Sequence, residues 1–155
     1  MQKLDRIYLG SFQEVVFPFI RKYKFTKDFS WGFYCTTSKT QAEFNASIYK
    51  TPVVNVYELT NIELLNTKRF DDYSYEWLDF IIGCRNGYIH DYDIIIGPIA
   101  DDTIYDYIDA YYVGKMNKEH FFDCMKLKSP SFQVSFHTAK ALDSVNFIES
   151  YQLSN

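Results

Sequence analysis

The chain has 155 residues, 47% hydrophobic and 23% charged, which suits one folded domain with a sizeable core and excludes a disordered or fibrous polypeptide. A net charge of −4 with no arginine-rich block excludes a general electrostatic grip on nucleic-acid phosphates. Cys35, Cys84 and Cys124 are scattered, with no CxxC pair and no histidine at ligand spacing. They argue against a disulfide framework or a zinc site and point to a reducing compartment.

No run of residues approaches the length of a membrane span. The opening Met-Gln-Lys-Leu-Asp-Arg lacks the apolar stretch of a signal peptide, so the expected location is the cytoplasm, or export by a route that needs no cleaved signal.

Asp5–Ser11 reads as a first strand stopped by Gly-Ser. The segment from Phe12 to Lys27 has no clean period and contains Pro18, so it is predicted as loop with one helical turn at most. It carries a basic cluster, Arg21, Lys22, Lys24 and Lys27, read first as a solvated loop and second as a group that holds phosphate.

Asp28 to Thr37 (DFSWGFYCTT) runs from a turn-prone start through Gly32 into an aromatic strand. Alternation puts Phe33 and Cys35 on one face, and Tyr34 and Thr36 on the other. Ser38 is a helix N-cap, with Gln41 completing a capping box; the helix runs to about Tyr49 and Pro52 ends it. Val53–Leu59 is a β-branched strand, and Ile62–Phe70 is predicted as another. Trp77, Phe80, Ile81 and Cys84 then mark the buried face of a helix that Asn86-Gly87 stops.

Tyr92–Gly97 is the most apolar short run and reads as a central strand closed by Pro98. Asp101-Asp102 start a helix with Ile104, Tyr107, Ile108 and Tyr111 as its stripe. Asn117 caps another, with Phe121, Cys124 and Met125 facing inward. Ser131–Thr138 alternates strictly, with Phe132, Val134 and Phe136 against Ser131, Gln133, Ser135 and His137. A small helix over Ala139–Asp143 and a strand near Phe147–Leu153 finish one α+β domain of six or seven strands spanning residues 1–155.

Three features occur in order: a strand ending Tyr8-Leu9-Gly10-Ser11, a Gly32-Phe33-Tyr34 strand followed by a capped helix, and a late strand presenting Gln133. That order resembles the ADP-ribosyltransferase superfamily, in its histidine–tyrosine–glutamate branch. The chain is more closely similar to a bacterial family in that orbit, long catalogued as a domain of unknown function. Its motifs stand here as Ile7–Ser11, Asp28–Thr37, Glu76–Phe80, Asp91–Asp102 and Gln133–Leu142. The chain departs from it in two places: Leu9 stands where the family has histidine, and Ser30-Trp31 replaces small residues before Gly32.

The resemblance implies an ADP-ribosyltransferase-like split β-sheet with flanking helices, NAD as substrate, and a macromolecular acceptor. It implies a toxin or conflict-system effector, with a small antitoxin protein as partner. NAD would be held by Tyr8, Leu9, Gly10, Ser11, Gly32, Tyr34 and Thr36, with the Gly10 backbone on the carboxamide and Tyr34 stacked on the nicotinamide ring.

Gln133 takes the place of the superfamily's catalytic glutamate. Its carbonyl oxygen binds a hydroxyl, but the amide is no general base. Asp102 is therefore a candidate catalytic residue and equally a helix cap, with Asp101 and Asp91 as further candidates. His137 is expected at the surface or the rim of the cleft, Trp77 in the core, and Glu76 and Asp79 on an outer helix face. Two other readings stand beside the transferase: a degenerate binding module, motivated by Leu9 and Trp31, and a simple NAD hydrolase. No metal is expected.

Overall fold

The computed structural model describes residues 6–20 and 27–154. Arg21, Lys22 and Lys24 of the basic cluster, and Asp5 of the first strand, lie outside them.

Seven strands form one open sheet in the order β4-β5-β6-β2-β1-β3-β7. They are β1 (Arg6–Ser11), β2 (Phe33–Thr36), β3 (Val53–Leu59), β4 (Thr67–Arg69), β5 (Ile94–Pro98), β6 (Phe132–Phe136) and β7 (Val145–Gln152). Five α-helices accompany them among the described residues: α1 (Lys39–Ala46), α2 (Tyr75–Arg85), α3 (Asp102–Tyr112), α4 (Lys118–Met125) and α5 (Ala139–Leu142). The protein is thus α+β. β4 and β5 are parallel, and every other neighbouring pair is antiparallel.

The strands alternate as their sequences require, so each face of the sheet has its own core. Ile7, Phe33, Cys35, Tyr57, Ile94, Ile96, Val134 and Phe136 point to one side, beneath Ala141 of α5. On the other side Ile95 packs with Phe29, Phe70 and the apolar stripes of α2, α3 and α4. Still on that second side, α1 lays Ala42 and Ala46 against Val54 of β3, beside Tyr8. The helices therefore cover the two flanks and leave a cleft over β1, β2 and β6.

The cleft coincides with the weakest seam of the sheet. β1 meets β3 along its whole length, from Arg6–Glu58 to Ser11–Val53, whereas β1 and β2 meet at Tyr8–Thr36. Beyond that pair, Leu9-Gly10-Ser11 and Phe33-Tyr34-Cys35 diverge. Backbone groups that part in this way are free to face a ligand or a loop.

Local chemistry set most boundaries. Ser38, Ser74, Asp101, Asn117 and Thr138 each cap a helix through a side-chain oxygen that accepts a backbone N–H. Half of the predicted capping box forms: Ser38 Oγ accepts from Gln41 N, but the Gln41 amide turns to Asn45. Helix α1 stops at Ala46, short of Tyr49.

Ile62–Phe70 is not one strand. Asn61 adopts a left-handed φ of 58° and starts a 3-10 turn over Ile62–Leu64, leaving a three-residue β4. Strand β7 begins at Val145, two residues earlier than predicted. Trp77 is fully buried and donates its indole N–H to Pro98 O across 3.1 Å. Glu76 and Asp79 face outward and pair with Lys68 and Lys118. No helix among the described residues is long and apolar enough to cross a membrane.

Candidate functional site

Two adjoining cavities occupy the seam between β1 and β2. The larger, about 380 Å³, lies on the cleft side and is lined by Tyr8, Gly10, Thr36 and Gln133, with Asp28, Arg85 and Tyr105 around them. The smaller, about 190 Å³, is mostly apolar and is lined by Ser11, Phe12, Val15, Trp31 and Gly32. Leu9, Lys27 and Tyr34 border both. The larger falls within the size range of small-molecule sites, roughly 300–1,000 Å³.

The structure therefore gathers Tyr8, Leu9, Gly10, Ser11, Gly32, Tyr34, Thr36 and Gln133, which are spread over the chain, around one seam. It does not bring Asp102 there. Asp102 is exposed in the first turn of α3, and the cap is Asp101, whose carboxylate accepts from Ile104 N at 2.9 Å. Asp91 is also exposed and borders a separate cavity beside Trp31, His90 and His137.

The carboxylate at the cleft is Asp28, seven per cent exposed. Its Oδ2 accepts from Gln133 Nε2 at 2.9 Å and Ala100 N at 3.2 Å. Its Oδ1 accepts from Arg85 Nη2 at 3.1 Å and from the Tyr105 hydroxyl. Burial pushes the Asp28 carboxyl above its ordinary range, opposed by the Gln133 and Ala100 hydrogen bonds and the Arg85 charge. Arg85 also lies on the Tyr105 ring, 3.4 Å from its centroid. Sequence reasoning missed Asp28 as a site residue, although it opens the very motif that carries Tyr34.

A tightly accounted turn positions Asp28. Ser30, at φ 77°, donates its N–H to Lys27 O across 3.1 Å. The Tyr34 hydroxyl closes that turn from the strand, accepting from Phe29 N at 2.9 Å and donating to Ser30 O at 2.6 Å. Its oxygen is thereby committed to backbone, and burial raises its pKa. The Tyr34 ring stays available as a surface: Lys27 Nζ stands 5.2 Å from its centroid, and His137 meets it edge-on at 6.0 Å. Thr36 is more constrained than expected. Its hydroxyl donates to Phe132 O and accepts from Ser38 N, so it ties β2 to β6 and to α1.

Two histidines clamp the same turn. His137 is half-buried and borders the cavity beside Trp31 rather than facing open solvent. Its Nδ1 meets Trp31 O at 2.8 Å and its Nε2 meets Ser135 Oγ at 2.7 Å. Carbonyl oxygens only accept, so Nδ1 carries the proton and the Ser135 hydroxyl donates to Nε2. His90 Nε2 likewise donates to Phe29 O at 2.8 Å, while its Nδ1 accepts from Tyr92 N at 3.0 Å. The two rings meet edge-on at 4.4 Å. Burial lowers both pKa values, that of His137 to about 4. Gly32 admits this contact, since a Cβ there would lie 2.8 Å from His137 Nδ1.

The wall of the smaller cavity hangs on β3. Buried Asn55 accepts from Val15 N at 2.8 Å and donates to Gln13 O at 3.2 Å, and the Tyr57 hydroxyl donates to Val15 O. Cys35 and Cys84 offer no ready nucleophile, because burial pushes Cys35 up and Cys84 up to about 12. Among the described residues no three His, Cys, Asp or Glu side chains gather into a metal-holding group.

Fold and site together define an α+β protein with a small-molecule-sized cleft where two central strands part. The chain belongs to the DUF3990 family, described as "protein of unknown function", whose model matches residues 6–147. No curated protein and no solved structure matches it.

Proposed function

We propose that the protein is an NAD-dependent ADP-ribosyltransferase that modifies a macromolecular target, acting as a toxin or conflict-system effector with a small antitoxin as partner. One observation carries the reading: Gly10, Tyr34 and Gln133, expected to form a nicotinamide site by resemblance, border one cavity where β1 and β2 separate. A sheet all but parted at that seam fits the split sheet of the superfamily.

The chemistry agrees with the side chains. The nicotinamide–ribose bond breaks toward an oxocarbenium-like state and nicotinamide leaves neutral, so the site must orient the ring and stabilise positive charge. The Tyr34 face next to Lys27 suits a cationic ring, because an aromatic face attracts cations by about 0.5–2 kcal/mol. Nicotinamide of oxidised NAD would take the place of the Lys27 ammonium. Asp28 supplies negative charge behind Gln133, and Lys27 and Arg85 border the same cavity as partners for phosphate.

The test is incubation with labelled NAD and cell extract. The expected result is a labelled macromolecule whose label is lost in Tyr34→Ala. Absence of label, or label indifferent to Tyr34→Ala, would sink the reading. Free nicotinamide without labelled acceptor identifies a hydrolase instead. A binding module is the second reading, favoured by apolar Leu9 on the border of both cavities. It is supported by a folded protein that leaves NAD unconsumed.

A further inference from the structure

We infer that Asp28 is the positioning residue of this site: it dictates which end of the Gln133 amide faces the cavity, so that the cleft selects a ligand hydroxyl. The identity of that hydroxyl, on the nicotinamide ribose, rests on the NAD reading.

A carboxylate flanked by donors can only accept. Asp28 faces a guanidinium, a backbone N–H, a phenol and the Gln133 amide, so the amide must turn its nitrogen toward Asp28. The amide's second N–H points at Pro98 O, 3.5 Å away. Both donors of Gln133 are thus directed into protein. No buried side-chain polar atom among the described residues lacks a partner, so Oε1, which accepts no bond there, remains open to the cavity.

An isolated glutamine could present either end. This one presents an acceptor, and the group it favours is a donor: a hydroxyl, above all the paired hydroxyls of a ribose. The same geometry explains why position 133 is an amide. A glutamate would set a second carboxylate where Nε2 now stands, 2.9 Å from Asp28 Oδ2, and the two could not both ionise. The charge sits on the residue behind, and the residue in front is its neutral, oriented extension.

The test has two independent arms on the full chain. In the first, the side-chain 15N–1H signals of Gln133 are followed against pH in the unaltered protein and in Asp28→Asn. The expected result is a pair of signals that shift as one carboxyl group titrates, and that lose this shift in Asp28→Asn while the backbone spectrum is retained. Signals that ignore pH in the unaltered protein would overturn the inference, a result that requires no variant to fold.

In the second arm, calorimetry compares NAD with an analogue lacking the hydroxyls of the nicotinamide ribose. The unaltered protein is expected to prefer NAD by about tenfold, the scale of one well-made hydrogen bond to a polar group, and Asp28→Asn to lose that preference. The double variant Asp28→Asn with Gln133→Glu, which exchanges amide and carboxylate, is expected to regain it. A preference that persists in Asp28→Asn, or a double variant no better than Asp28→Asn, would overturn the inference. If the unaltered protein binds neither compound, the NAD reading falls and the spectroscopic arm alone decides the role of Asp28.

Discussion

Gly10 runs so close to Ala42 that a Cβ on Gly10 would stand 2.2 Å from the Ala42 carbonyl oxygen and 2.8 Å from Ala46 N. Both neighbours are helix backbone and cannot swing aside. Gly10→Ala is therefore expected to pry α1 from β1 and cost about 1–3 kcal/mol, the range for overpacking, read as a lower urea midpoint. A midpoint unchanged within error would show that α1 yields freely. The packing also means that lost activity in Gly10→Ala says nothing of ligand contact unless the fold is measured alongside.

Tyr34 separates two roles that a single truncation would merge. Tyr34→Phe removes the hydroxyl that binds Phe29 N and Ser30 O but keeps the ring. It leaves two backbone groups to find other partners, at an expected cost of about 1–3 kcal/mol. If the ring is the ligand surface, NAD affinity in Tyr34→Phe stays within a few-fold while Tyr34→Ala abolishes it. Equal loss of affinity in both would place the importance of Tyr34 in the turn instead.

Acid is expected to weaken the fold through His137. The unfolded chain takes up a proton near pH 6.5, whereas the folded protein resists until about 4. The stability held by this neutral imidazole is therefore complete above 6.5 and is lost as pH falls toward 4. The slope is about 1.4 kcal/mol per pH unit, some 3 kcal/mol in all, with buried His90 acting in the same direction. Asp28, held above 3.8, opposes it, since the folded state then binds a proton first. His137→Asn keeps a donor near Trp31 O without the titration. Urea unfolding at pH 7 and 5 should show a flatter dependence in this variant. An identical slope would assign the acid sensitivity elsewhere.

Leu9 borders both cavities and packs partly on the core beneath Ala141. If the cleft holds NAD, Leu9→His supplies the polar group that the resemblance leads one to expect there. It should tighten NAD binding by about 1 kcal/mol, roughly fivefold in Kd, by calorimetry. Unchanged or weaker binding would mean that the apolar residue belongs to this member's own ligand.

What was legible in advance was local. Helix caps at Ser38 and Asn117, and the facing of Phe33 and Cys35 against Tyr34 and Thr36, follow from side chains acting within a few residues. The misreadings share a cause. Ile62–Phe70 has strand composition, but Asn61 turned left-handed and wound its start into a 3-10 turn. His137 looks like a strand-end surface residue until Trp31 O, 106 positions away, arrives at its Nδ1. Asp102 has the composition of a site residue, yet its neighbour Asp101 took the cap and α3 carried it outward.

By itself the sequence determined the α+β class, the faces of its central strands, the caps at Ser38 and Asn117 and the membership of a family whose model matches residues 6–147. Each of these depends on neighbours in the chain or on residue pattern. Tertiary structure alone decided that β1 and β2 part beyond Tyr8 and Thr36, and that Asp28, rather than Asp102, is the carboxylate behind Gln133. The reason is separation: a buried carboxylate and an amide 105 residues apart leave no periodic trace, and only the turn before β2, held by the Tyr34 hydroxyl, brings Asp28 to 2.9 Å from Gln133 on β6.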